Sequence, residues 1–83
     1  MIQLTDFTNK QQEVIAEFIH AYQTDTLIKS EGEALLKVFQ DHKVVLSDSN
    51  SDLSIDDYLK LILLNIDLDT IDEIMKKYYK GEF

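Results

Sequence analysis

Aspartates and an asparagine recur at alternate positions in Asp48-x-Asn50-x-Asp52-x-Ser54-Ile55-Asp56. This spacing sets oxygen side chains at positions 1, 3, 5 and 9 of an EF-hand-like loop, with isoleucine at position 8. Hard oxygens in that pattern suit calcium, but the rest of the loop does not follow. Position 12, which should supply a bidentate glutamate, is Leu59, and position 6, where a sharp turn demands glycine, is Leu53. An upstream companion loop would end at Glu31, yet its leading positions hold His20, Tyr22 and Thr24. The spacing therefore favours a polar loop feeding a serine-capped helix, with a divergent calcium-binding module as the alternative.

Other reacting groups are few. The histidines are His20 and His42, with no cysteine and no histidine pair at helical spacing, so neither a zinc site nor a thiolate nucleophile is expected. Both histidines read as exposed or half-buried helix residues. The carboxylate pairs Asp56/Asp57 and Asp69/Asp72 have the composition of a general acid and base, but acids at the start of a helix ordinarily complement its dipole. No oxyanion loop or nucleotide motif accompanies them, so no enzyme activity, metal or cofactor is expected.

Charge narrows the partners further. The net charge is -8, and most of it lies between Val44 and Glu73, where Asp48, Asp52, Asp56, Asp57, Asp67, Asp69, Asp72 and Glu73 face Lys60 alone. All basic residues are lysine, and arginine, the usual fork for phosphate, is absent. Such a chain repels nucleic acid and anionic membrane and attracts a basic protein surface. Tyr58 beside the acidic loop is a candidate aromatic anchor, and Tyr78, Tyr79 and Phe83 form a second candidate patch.

These residues must be positioned by helices, because the chain has no proline and few glycines. Thr8 and Gln11 form a capping box before Val14, Ile15, Phe18, Ile19 and Tyr22, which recur at helical spacing. A second box, Ser30 with Glu33, is expected to open a helix burying Leu35, Leu36, Val38 and Phe39, with Leu27 and Ile28 covering the joint before it. Gly32 there costs about 1 kcal/mol relative to alanine unless packing requires it. Val44, Val45 and Leu46 read as an apolar connector. Ser54 caps a third helix that is apolar nearly all round from Tyr58 to Ile66, which predicts the most buried element. A third box, Thr70 with Glu73, is expected to start the last helix, with Ile71, Ile74, Met75 and Tyr78 inward and Lys76, Lys77 and Lys80 at its end.

The expectation is an all-α, single-domain, four-helix bundle over residues 1–83, with short connections and consecutive helices as neighbours. A chain this size buries roughly 60 to 65% of its unfolded surface, which leaves little room for an elaborate active site. No secretory leader or membrane span is evident, and a cytoplasmic location is expected.

The chain resembles the small acidic immunity proteins that neutralise DNase colicins and pyocins. Leu4-Thr-Asp-Phe-Thr8 is similar to the family's opening, and Ser30-Glu-Gly-Glu33 running to Phe39 and His42 resembles its second helix. Ser51-Asp-Leu53 stands where a similar triplet precedes the third helix. The family follows that triplet with a tyrosine pair and proline that form its binding hot spot, whereas this chain has Ser54, Ile55 and Asp56. The resemblance implies a non-catalytic inhibitor of a nucleic-acid enzyme, and it carries over Asp52, Glu31 and Glu33. With the charge pattern, the expected contact set is Asp52, Asp56, Asp57 and Tyr58, flanked by Glu31 and Glu33. A self-associating structural subunit is a further alternative.

Overall fold

The computed structural model describes residues 2–44 and 54–83. A 3-10 turn, Leu4–Asp6, precedes four helices: α1 Asn9–Gln23, α2 Lys29–Asp41, α3 Ile55–Asn65 and α4 Leu68–Tyr79. The all-α, four-helix expectation holds.

Two helix starts are written in local sequence. Thr8 accepts from the Gln11 amide at 3.1 Å while Gln11 Oε1 accepts from the Thr8 amide at 3.0 Å, the reciprocal box expected for α1. Ser54 and Asp57 form the same arrangement at the start of α3. The other two starts lie elsewhere. Helix α2 begins at Lys29, with Ile28 in the capping position and no side-chain cap, so Ser30 is already helical. Lys29 and Ser30 are exposed, so water can satisfy their amides and a capping side chain is dispensable. Helix α4 is capped by Asp67, whose carboxylate accepts from the Thr70 amide at 2.8 Å, and Thr70 is itself buried. The Thr70–Glu73 string lies inside the helix.

Three helices end alike. Residue C″ donates to the carbonyl five back and C′ to the carbonyl three back, as in Thr26→Ala21 with Asp25→Tyr22, Val44→Phe39 with Lys43→Gln40, and Glu82→Lys77 with Gly81→Tyr78. Each motif needs a left-handed residue at C′. Gly81 (φ 72°) supplies it freely, whereas Asp25 (φ 58°) and Lys43 (φ 59°) adopt it with a Cβ.

Helix α1 is the hub. Its buried residues Gln12, Ile15, Ala16, Phe18 and Ala21 cover a wide arc, and it packs on both α2 and α4. Its Ile15, Ala16 and Phe18 form one core with Phe7, Leu35, Val38, Phe39, Ile62, Ile66 and Ile74, in which a large aliphatic or aromatic side chain contributes about 1.5–3 kcal/mol when fully buried. The N-terminal segment closes one end: the Ile2 amide donates to Asn65 O at 2.8 Å. Buried Gln12 binds it from the other side, donating to the carbonyls of Leu4 and Phe7 and accepting from Lys77 Nζ at 2.7 Å.

Several expectations are corrected. Helix α3 is not the most buried element: Ile62 is its one fully buried residue, while Ile55, Leu63 and Leu64 are exposed. Consecutive helices are not all close neighbours, since the principal helix pairs among the described residues are α1 with α2 and α1 with α4. Nor are all connections short: α2 and α3 are separated by residues 42–54, whereas Ile66 and Asp67 alone join α3 to α4. Ile28 and Tyr22 are exposed rather than inward. Val44 packs against the core; Val45 and Leu46 lie outside the described residues.

Candidate functional site

The acidic residues singled out in sequence come from two distant segments, and one contact brings these together. The Tyr58 ring, one turn into α3, lies over Gly32 in α2 so closely that a Cβ built on Gly32 would stand 2.8 Å from its Cζ and Oη. The same ring meets Phe18 of α1, with centroids 5.4 Å apart. Gly32 is therefore the seat of an aromatic ring, and Tyr58 is half-buried as a clasp between helices. Glu31 and Glu33 flank Gly32, and Asp56 and Asp57 precede Tyr58 in sequence, so the contact brings the acidic starts of α2 and α3 together.

These carboxylates have different duties. Asp57 accepts from the Ser54 amide at 3.1 Å, and this bond, then the Ser54 hydroxyl, with a smaller pull from Lys60, holds its carboxyl below the usual range. Asp67 is lowered similarly, by the Thr70 hydroxyl and then the Thr70 amide. Both are caps. Glu31, Glu33 and Asp56 make no hydrogen bond or ion pair with the described residues, and Glu33 and Asp56 are exposed. The ion pair found among the described residues is Asp72 with Lys76, at 3.1 Å. Asp52, together with the proposed calcium-loop positions from Asp48 to Leu53, lies outside the described residues.

A second feature was missed in sequence because it looked like core. Leu63 and Leu64 on α3 are 54% and 74% exposed, and Leu68, at the start of α4, is 70% exposed. The buried stripe of α3 is Ile62, continuing to Ile66 at its cap, with Tyr58 half-buried before them. Leu59 and Leu61 pack half-buried beside that stripe, which leaves Leu63 and Leu64 off it and exposed.

The histidines and the last tyrosines pack locally. His42 Nε2 lies 3.2 Å from Gln11 Oε1, and its ring meets Phe7 edge-on at 4.8 Å. His20, Tyr78 and Tyr79 form a three-ring cluster, with His20 5.5 and 6.0 Å from the tyrosine centroids and these 5.6 Å from each other, and both histidines are half-buried as expected. Tyr79 donates to Gln23, and Lys77 stands 5.2 Å from the centre of the Phe83 ring. An open groove of about 410 Å³ runs between the start of α1 and the end of α2, floored by Val14, Ala34 and Val38 and rimmed by Lys10, Lys37 and Asp41. Among the described residues no three histidine or carboxylate side chains converge as metal ligands, and no helix is long and apolar enough to cross a membrane.

No protein-family model matches this chain, and neither a curated protein nor a solved structure matches it.

Proposed function

We propose that this chain is a non-catalytic acidic protein that binds and masks a basic surface on a partner protein, in the manner of an immunity protein, an inhibitor or a phage-type antagonist of a nucleic-acid enzyme. The observation that carries this reading is the Gly32–Tyr58 contact, which brings the acidic starts of α2 and α3 together, with Glu31, Glu33 and Asp56 in no ion pair with the described residues. Uncompensated charge of one sign steers a complementary partner and rejects wrong ones. The lysine-only composition and the resemblance to DNase immunity proteins support the same kind of partner. Asp57 serves this surface mainly by fixing the start of α3, and Tyr58 by joining that helix to α2.

The test is capture from a cell lysate at about 0.1 M and about 1 M salt, between which the Debye length falls from about 10 Å to about 3 Å. Wild type is expected to retain basic proteins at the lower salt. The triple variant Glu31→Lys, Glu33→Lys, Asp56→Lys should lose them, while Glu17→Lys, Asp41→Lys, Glu82→Lys, an equal charge change at exposed positions elsewhere, should keep them. Retention of the same proteins by the first variant rejects the assignment.

A further inference from the structure

We propose that the exposed edge of α3, continued by Leu68, is a docking strip for an amphipathic segment of the partner, with cations at one end and large apolar side chains at the other. This rests on the reading of the chain as a binder of a basic protein surface, and adds the apolar half of that contact. Asp56 and Leu63 are seven residues apart and so share a helix face, with Lys60 between and Leu64 beside. At 1.5 Å rise per residue, Leu64 stands about 12 Å along the axis from Asp56. The strip thus passes from carboxylate to leucine within the span of two helical turns. Its leucines lie off the core stripe, with Leu63 and Leu64 54% and 74% exposed.

Charge selects the occupant. The acidic end offers Asp56, and the helix that follows the apolar end carries exposed Asp69 and Glu73, and Asp72 paired with Lys76. Lys60 stands on the strip one turn after Asp56, so the basic end of the occupant meets Asp56 and the helix start rather than the middle of the strip. A second copy meeting this surface across a two-fold axis would set acid against acid in a chain of net charge -8, and an anionic lipid surface would be repelled likewise. A protein segment carrying lysine or arginine about 12 Å from a pair of leucine- or phenylalanine-like side chains satisfies both ends.

The probes are three synthetic helical peptides added to the full ¹⁵N-labelled chain. One has two lysines at one end and leucine and phenylalanine at the other, the second is its scramble, and the third replaces the apolar residues with serine. The segregated peptide should shift the amides of Asp56, Leu63, Leu64 and Leu68 and bind about tenfold tighter than the serine peptide. Leu63→Ser with Leu64→Ser should remove that advantage and leave serine-peptide binding unchanged; both sites are exposed, and the amide spectrum of the variant checks its fold. Equal binding by all three peptides, with shifts confined to the Glu31, Glu33 and Asp56 region, overturns the docking strip and leaves the acidic surface standing. No binding by any cationic peptide overturns both. A sedimentation mass that rises with concentration and is restored to monomer by the leucine substitutions assigns the strip to a second copy and overturns the basic-segment reading.

Discussion

Gly32→Ala sets two physical terms of opposite sign against each other. In an open helix the substitution stabilises by about 0.8–1 kcal/mol, because alanine loses less backbone freedom. Here the new methyl would stand 2.8 Å from the Cζ and Oη of Tyr58 and 3.1 Å from its Cε2. Ordinary carbon contacts begin near 3.5 Å, so the ring must retreat by about 0.7 Å or more. It cannot do so independently, since it also packs on Phe18. Overpacking of this kind costs about 1–3 kcal/mol, so the net expectation is a loss of about 1 kcal/mol. The assay is urea denaturation at unchanged slope, supported by a melting temperature about 4–8 °C lower. Tyr58→Ala supplies the control: in that background Gly32→Ala should stabilise by about 1 kcal/mol, giving a coupling near 2 kcal/mol across the cycle. Stabilisation of the wild-type chain by the full helix-propensity increment would refute the clasp, and with it the contact that brings the acidic starts of α2 and α3 together.

Three further outcomes follow from the helix ends and the buried amide. Lys43→Gly relieves a left-handed residue with a Cβ and should stabilise by about 0.5–1 kcal/mol, with a smaller gain for Asp25→Gly because aspartate tolerates that region; chemical denaturation of both reads the order. Gln12→Leu strips partners from the Leu4 and Phe7 carbonyls and from Lys77, and should cost about 2–3 kcal/mol and speed amide exchange of the N-terminal turn. Asp57 and Asp67 have lowered carboxyl pKa values in the folded chain, so their stabilisation is complete above the ordinary value of 3.8 and is lost as pH falls through the lowered values. The double variant Asp57→Asn, Asp67→Asn should therefore lose less stability than wild type on titration from about pH 4 to about pH 2; an equally steep loss would exclude the caps as the source.

Local rules read what local chemistry determines. The Thr8–Gln11 and Ser54–Asp57 boxes are self-contained, and the inward residues of α1 and α2 follow from spacing because those helices face each other. Ser30 and Thr70 show the limit. Each belongs to the same short string as a capping box, but at α4 Asp67 stands one turn earlier and competes for the Thr70 amide, leaving threonine free to be buried. Nothing in the sequence around Gly32 announces an aromatic ring from residue 58, because that contact joins residues 26 positions apart. Gln12 was similarly illegible, for its partners Leu4, Phe7 and Lys77 meet only once α1 and α4 are packed.

Helix α3 joins these observations to function. A helix apolar on every side is expected at the centre of a fold, but the number of faces a helix buries is set by how many elements surround it. In this chain α1 takes the central place, between α2 and α4, and α3 engages the core through Ile62 and the following Ile66, with Tyr58, Leu59 and Leu61 packed against them half-buried. Leu63 and Leu64 contribute little to folding while exposing surface that favours unwanted association. Serine or lysine at positions 63 and 64 would leave the core stripe intact and raise solubility, so the folded structure gives no reason for leucine there. A partner that covers these leucines, while placing its cations against the acids two turns earlier on the same helix, accounts for both the apolar excess of α3 and the charge that precedes it.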